Sequence, residues 1–167
     1  MGDLPGAMAA FERSLELQER LGDAAGRAVT LANIGGVHQR QGRWDEARKS
    51  LENSVELQEA AGGVSALAAT LNALGFVLRR LGDADGAYRR YARAKELIEK
   101  QGDLLHVTIP AHNMALIHEE RGEHREALRL MEEVIAIDKR IGHPDLRGDL
   151  ETFGRIREKL DRERDRR

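Results

Sequence analysis

The chain has 167 residues and a net charge of −2, and it is 41% hydrophobic and 34% charged, so it does not have the profile of a disordered or nucleic-acid-binding protein. It contains no cysteine, which excludes disulfides, thiolate nucleophiles and sulfur-ligated metal sites. No apolar run approaches the roughly 20 residues of a membrane span, and residues 1–5 lack the features of a signal peptide. We therefore expect a cytoplasmic protein without nucleic-acid or membrane partners.

Glycine recurs every twenty residues, and this spacing organises the whole chain. The series consists of Gly2, Gly22, Gly42, Gly62, Gly82, Gly102, Gly122 and Gly142. Alternate members are followed five residues later by alanine, at Ala7, Ala47, Ala87 and Ala127. This pattern predicts a repeated helical hairpin of forty residues, in which glycine ends each helix in the left-handed conformation. Acids such as Asp83 and Asp85 then favour the start of the next helix.

Apolar residues at helical spacing predict the elements in chain order. The first helix covers residues 3–20, with Pro5 in its first turn, and the next two helices extend from about 24 to 41 and then to about 61. The predicted organisation is one domain with a half-repeat helix at 2–21, full repeats at 22–61, 62–101 and 102–141, a capping helix at 145–160 and a charged tail at 161–167. Because one hairpin cannot bury its own apolar face, the fold class is an all-α, right-handed solenoid of antiparallel helix hairpins.

Pro110 interrupts the pattern of the last full repeat. Proline inside a helix removes one hydrogen bond and clashes with the carbonyl four residues earlier, which is His106 here. We therefore expect either a kink at this position or a helix that begins near Thr108.

Small residues recur in the middle of the first helix of each hairpin, at Gly35, Gly75 and Ala115. Glycine in a helix costs about 1 kcal/mol relative to alanine, so a packing requirement must offset it. Alanine stands twelve residues later in each repeat, across the turn. We expect the two helices to approach closely there, with the larger residues at 51, 91 and 131 filling the remaining space.

These residues resemble the tetratricopeptide repeat, whose pattern of apolar, Leu-Gly, aromatic and Gly-x-Tyr-x-x-Ala positions is visible three times. The copies are Leu31, Ile34, Gly35, His38, Gly42, Trp44, Ala47 and Leu51; Leu71, Leu74, Gly75, Leu78, Gly82, Ala87 and Tyr91; and Ala111, Met114, Ala115, His118, Gly122, Ala127 and Met131. The forty-residue period is similar to the longer-helix variety found in kinesin light chains, polarity adaptors of the mitotic spindle and many bacterial regulators.

The sequence offers no pattern typical of catalysis. The histidines at 106, 112, 118 and 124 are spaced by six residues, and such residues cannot share one helix face. The chain contains neither HExxH nor a phosphate-binding GxxxxGK[ST] segment. We interpret the histidines as core or surface residues, and expect neither enzyme activity nor a metal or cofactor.

The resemblance implies a binding surface on the concave face, which is lined by the first helix of each hairpin. The candidate peptide-binding residues are Asn33, Gln39, Arg40, Asn72, Phe76, Arg79, Arg80, His112, Asn113, Leu116 and Glu119. Asparagine both donates and accepts hydrogen bonds, which suits an extended peptide backbone, although it is also tolerated on an exposed helix face. Phe76 is either an aromatic anchor or an inter-repeat packing residue.

The charges of this candidate groove differ along the chain. Arginines at 40, 79 and 80 make one part basic, whereas Glu119 and Glu120 make another part acidic. An oppositely polarised peptide or partner helix would fit such a groove. The sequence therefore predicts a protein-interaction scaffold, and the alternatives are a peptide-sensing module of a larger bacterial regulator or a homo-oligomerisation unit.

The chain opens midway through a repeat, so its first helix lacks a hairpin partner. Phe11, Leu15 and Leu17 would form an uncovered apolar stripe on that helix. We expect either that the chain is part of a longer repeat protein or that it forms a homodimer through this stripe.

Overall fold

The computed structural model describes residues 4–165, and within that range the chain forms eight α-helices and no β-strand. The helices are α1 (Leu4–Leu21), α2 (Ala24–Arg40), α3 (Trp44–Ala61), α4 (Val64–Arg80), α5 (Ala84–Lys100), α6 (Leu104–Glu120), α7 (His124–Ile141) and α8 (Leu146–Asp165). The predicted all-α class and the helical repeat are thus confirmed. The predicted start at residues 2–3 lies outside the described residues.

Glycine ends the helices as the spacing predicts. The glycines of the twenty-residue series from Gly22 to Gly142 all have positive φ, between 68° and 87°. A side chain strains the backbone in this left-handed region, which is why glycine recurs at these turns. Aspartate marks several of the helix starts that follow: Asp23 accepts a hydrogen bond from the Gly26 N–H at 2.8 Å, and Asp83 accepts one from the Gly86 N–H at 2.7 Å.

The chain divides into two compact units, residues 1–90 and 91–167, with the boundary inside α5. In the first unit α2 packs against α1 and α3, and α4 contacts both α3 and α2. In the second unit α7 packs against both α6 and α8. The single domain that the sequence suggests remains a prediction.

Close approach of paired helices is clearest between α2 and α3 in the first unit. A Cβ placed on Gly35 would lie 2.7 Å from Leu51 Cγ, closer than real contacts allow. Leu51 is 1% exposed, and Ala47 beside it is fully buried. The predicted reason for a mid-helix glycine is therefore confirmed at Gly35. In the second unit, Ala115 and Met131 occupy the corresponding positions, and both are fully buried in a core cluster that also includes Ile156 of α8.

One of the two alternatives for Pro110 and the predicted end of the capping helix were wrong. Helix α6 does not begin near Thr108; it begins at Leu104, where Asp103 accepts a hydrogen bond from the His106 N–H at 3.2 Å, and it continues through the buried Pro110. Helix α8 does not end at residue 160 but continues to Asp165. Its alternating charges permit pairs such as Arg162 with Glu158 at 3.3 Å, which support an exposed helix. The last two residues of the predicted tail, Arg166 and Arg167, lie outside the described residues.

Candidate functional site

In the first unit, the candidate residues lie on α2 and α4, the first helices of consecutive hairpins. Asn33 and Arg40 are exposed on α2, whereas Asn72 and Arg79 are partly buried on α4. Gln39 Nε2 donates a hydrogen bond to the Ala73 carbonyl at 3.1 Å, so this amide joins α2 to α4. Gln39 therefore aligns the two helices.

Three side chains form a cluster at the end of α4, which we call the aromatic surface: Trp44, Phe76 and Arg80. The rings of Trp44 and Phe76 pack edge to face, with centroids 6.1 Å apart and planes inclined by 62°. Arg80 Cζ lies 5.0 Å from the centroid of the Trp44 ring, in cation–π geometry. Such contacts each contribute about 0.5–1.5 kcal/mol, so they hold the three side chains in a defined arrangement.

Phe76 stays 42% exposed although it packs against Trp44. Its contact with Trp44 of the preceding hairpin agrees with the inter-repeat packing alternative, and the aromatic-anchor alternative stays a prediction. Trp44 was missed as a candidate site residue because it occupies a recurrent turn position. Its position as the first residue of α3, next to the end of α2, could have indicated that its ring lies near the candidate residues of the first helices.

The charge of this part of the first unit comes from arginine rather than histidine. Arg40 and Arg80 are exposed, and Arg79 adjoins them in sequence. Burial, and next the nearby positive charge of Arg43, lower the pKa of His38 below its ordinary value. His38 is therefore mainly neutral at pH 7, and the positive charge is concentrated on the arginines.

In the second unit Glu119 is not available for a partner, contrary to the expectation of an exposed acidic groove residue. Its side chain is 7% exposed and accepts hydrogen bonds from Arg155 Nε at 3.0 Å and from Lys159 Nζ at 2.7 Å. Burial opposes ionisation of Glu119, but these two cations outweigh it and hold its pKa below the ordinary value. Glu119 thus fastens the capping helix α8 to α6, and of the predicted acidic pair only Glu120 is exposed.

Two of the remaining candidates in the second unit, His112 and Asn113, line an open cleft of about 460 Å³ between α6 and α8. We call it the α6–α8 cleft. Its polar lining includes His112 and Asn113 from α6, His143 and Asp145 from the turn after α7, and Asp149 and Thr152 from α8. His112 Nδ1 donates a hydrogen bond to Asp149 Oδ1 across it. Leu116, also predicted as a binding residue, is partly buried and is not among the lining residues.

A fully buried carboxyl group, Asp138 of α7, lies behind this cleft. His143 Nδ1 is 3.9 Å from Asp138 Oδ1, and the fully buried Asp138 side chain also lies against that of Asp149. Burial, and next a hydrogen bond with Asp149, raise the pKa of Asp138 to about 6, so the two carboxyl groups share a proton. Sequence reasoning missed this group, because Asp138, Asp149 and the two histidines come together only through the turn at 142–145.

The histidines spaced by six residues do not converge, as predicted, and each has a different acidic neighbour. His106 Nδ1 lies 2.6 Å from Asp103, His118 Nδ1 lies 2.5 Å from Glu123 and His124 Nδ1 lies 3.0 Å from Glu163, while His112 contacts Asp149. Within residues 4–165, no group of three or more histidine or acidic side chains is arranged to hold a metal ion. In the same range, no helix is both long and apolar enough to cross a membrane.

The repeated hairpins and the surfaces on their first helices define a helical repeat protein of the kind that mediates protein–protein interactions. The family model for the tetratricopeptide repeat matches residues 1–64 and 66–140. The chain therefore belongs to the tetratricopeptide repeat family, whose members are typically interaction scaffolds without catalytic activity.

Several solved structures have a similar fold. The crystal structure of BtubC (BKLC) from P. vanneervenii matches with a TM-score of 0.89 and 18% identity, over 96% of this chain and 67% of that chain. A putative kinesin light chain from Podosopora anserina with nearly identical TPR-like repeats matches with a TM-score of 0.80 and 18% identity, over 98% and 82%. The apo form of RapI matches with a TM-score of 0.88 and 12% identity, over 96% and 59%. These identities show a shared fold alone, and a search of curated proteins finds no significant match.

Proposed function

We propose that the chain binds an extended segment of a partner protein across α2 and α4, with Phe76 as the apolar anchor. The observation that carries this proposal is the aromatic surface. Phe76 is 42% exposed yet fixed by Trp44, which Arg80 covers in turn. A large apolar side chain held rigidly at the surface loses little conformational entropy on binding, and anchors of this kind dominate binding energies.

Charge indicates which segments would bind. Arg80 is exposed beside Trp44, Arg40 is exposed at the end of α2, and the partly buried Arg79 adds a third positive charge. An acidic segment with one apolar side chain would satisfy both the arginines and Phe76. Asn33, exposed on α2, and Asn72 on α4 are suited to hydrogen bonds with its backbone.

A random-peptide library selected against the whole chain tests the proposal. We expect selected peptides to combine acidic residues with an aromatic or aliphatic residue. Phe76→Ala should weaken them by about 10- to 100-fold, because truncation of an anchor removes about 1.4–2.8 kcal/mol. Charge reversal of Arg79 and Arg80 should weaken them as well. Titrations followed by the fluorescence of Trp44, the single tryptophan, provide the dissociation constants.

Val64→Ala is the matched control for this experiment. Val64 is also an apolar residue of α4 and is 38% exposed, but it stands twelve residues before Phe76, about 18 Å along the helix. This control should leave affinity unchanged. If the selected peptides bind the Phe76 and arginine variants as tightly as the original chain, the proposal is wrong.

Self-association through α1 is a second candidate function. Leu17 is 54% and Leu21 is 71% exposed on this helix, and Phe11 and Leu15 are partly buried. Light scattering at increasing concentration should detect a dimer that Leu17→Ser abolishes. A strictly monomeric mass would rule this candidate out.

The third alternative, a peptide-sensing regulatory module, predicts that small-angle scattering changes when a selected peptide binds.

A further inference from the structure

We propose that the α6–α8 cleft binds a cationic side chain, the guanidinium or ammonium group of an arginine or lysine in a polypeptide ligand. This proposal rests on the proposed function in one respect, because both assume that the ligand is a polypeptide. It concerns the second unit, whereas the aromatic surface belongs to the first, so the two are testable separately.

The charges of the cleft favour a cation. Asp145 and Asp149 line it and Asp138 lies behind it, while its lining includes no lysine or arginine. Only His112 and His143 are basic. The Nδ1 atom of His112 is engaged by Asp149, and that of His143 accepts the Asp145 N–H at 3.2 Å. The lining therefore carries two carboxyl groups and no lysine or arginine to balance them.

Asp138 adds a second acid behind the cleft. Its side chain is fully buried, and a hydrogen bond with Asp149, together with the charge of that residue, raises its pKa. Asp138 does not line the cleft, so a ligand there would contact Asp149 and not Asp138. A guanidinium group carries five N–H donors, and when bound to Asp149 it would offset the repulsion between the two carboxylates.

The cleft also suits the apolar part of such a side chain. Ile109 and Pro144 belong to its lining, and Ile109 is 44% exposed. Arginine and lysine bury their methylene groups along apolar surface while the charged end stays with polar partners. A volume of about 460 Å³ accommodates one such side chain and the adjacent peptide backbone.

Two short peptides that differ only in charge form the test. Acetyl-alanyl-arginyl-alanine amide and its citrulline counterpart, which has nearly the same shape but no charge, are titrated into the full chain. Amide chemical shifts of His112, Asp149 and Thr152 report the binding. We expect the arginine peptide to bind at least about tenfold more tightly than the citrulline peptide.

Variants of the acidic residues test whether the arginine peptide binds in the cleft. Asp145→Asn removes a carboxylate that is 80% exposed, so it should preserve the fold, and Asp149→Asn removes the buried acid of the lining. Both should weaken the arginine peptide. Glu151→Gln removes the same charge two residues after Asp149, from a residue of α8 outside the lining, and should not weaken it. Equal affinity for the two peptides, or an arginine affinity that Asp145→Asn leaves unchanged, overturns the proposal.

The two proposals fail differently. If library-selected peptides depend on Phe76 while arginine and citrulline peptides bind alike, this inference is wrong and the proposed function stands. If the cleft discriminates between the two peptides while Phe76→Ala has no effect on selected peptides, the proposed function of the aromatic surface is wrong.

Discussion

The two units of the chain use the first helices of their hairpins differently. Phe76 and Arg79 on α4 correspond, forty residues later, to Leu116 and Glu119 on α6. In the first unit this register presents a half-exposed ring beside arginines. In the second unit it presents a carboxylate that Arg155 and Lys159 of α8 neutralise. Equivalent repeat positions therefore form an exposed aromatic and basic surface in one unit and an attachment point for α8 in the other, according to the charge of each residue and what packs on it.

The largest expected effect concerns the buried acid of the second unit. The folded-state pKa of Asp138 is about 6 and its ordinary value is 3.8. Because folding raises this pKa, the protonated carboxyl group contributes to the stability of the fold. That contribution is fully present below about pH 3.8 and is lost as pH rises through about 6. Asp138→Asn, which mimics the neutral acid, should therefore stabilise the chain by up to about 3 kcal/mol at pH 8 and little at pH 4.

Urea unfolding at the two pH values measures this difference in the free energy of unfolding. Asp161→Asn is the control, because Asp161 is exposed on α8 and does not contribute to the pKa of Asp138. Equal stability of Asp138→Asn and the original chain at pH 8 would show that the buried carboxyl group carries no ionisation penalty.

Two neighbouring glycines on α2, Gly35 and Gly36, should respond in opposite ways to replacement by alanine. Gly35→Ala should destabilise the chain by about 1–3 kcal/mol, because its Cβ would lie 2.7 Å from Leu51 in a close-packed core. Gly36→Ala should instead stabilise it by up to about 1 kcal/mol, since no atom lies within 4 Å of its Cβ position. Thermal unfolding of the two variants measures both effects, and a similar change in the two would contradict the packing argument.

Removal of the Glu119 charge tests the attachment of α8. Glu119→Gln should destabilise the second unit by about 1–2 kcal/mol, less than a fully buried pair because Arg155 and Lys159 are about half exposed. Since the pKa of Glu119 is lowered, this contribution is present above pH 4.5 and is lost as pH falls through the folded-state pKa. Hydrogen exchange of α8 amides measures the effect, with Glu120→Gln as the exposed control. If the protection of the α8 amides is unchanged, Glu119 does not attach α8 to α6.

The smallest expected effect belongs to the first unit. Arg80→Ala removes an exposed cation–π contact worth about 0.5–1 kcal/mol and should change the emission of Trp44. Arg89→Ala removes the same charge from an exposed position on α5 and should leave the emission unchanged. Identical spectra for both variants would mean that Arg80 does not cover the ring in solution.

Local patterns predicted most of the fold. The glycine spacing located the turns because a left-handed residue is needed wherever a helix ends, and the mid-helix Gly35 indicated close packing against α3. A start of α6 near Thr108, one of the two alternatives for Pro110, was wrong. The rule against proline concerns the helix interior, and it does not take account of Asp103, which caps the helix at an earlier position.

The candidate sites were harder to predict because they depend on contacts between distant residues. Phe76 and Arg80 share one face of α4 at helical spacing, but their contacts with Trp44 depend on how α3 packs against α4. Likewise, Glu119 looked like an exposed acid because nothing in α6 indicates that Arg155 and Lys159, 36 and 40 residues later, reach it. The Asp138 cluster depends on the turn at 142–145, where the forty-residue spacing changes.

The positive-φ glycines have a consequence for how such a chain changes length. Seven glycines adopt nearly the same backbone conformation, and no atom lies within 4 Å of where a Cβ would stand on any of them. A segment copied from one of these glycines to the one forty residues later begins and ends in equivalent geometry. Gene duplication or recombination at these junctions would add or remove whole hairpins without disturbing the register of the rest.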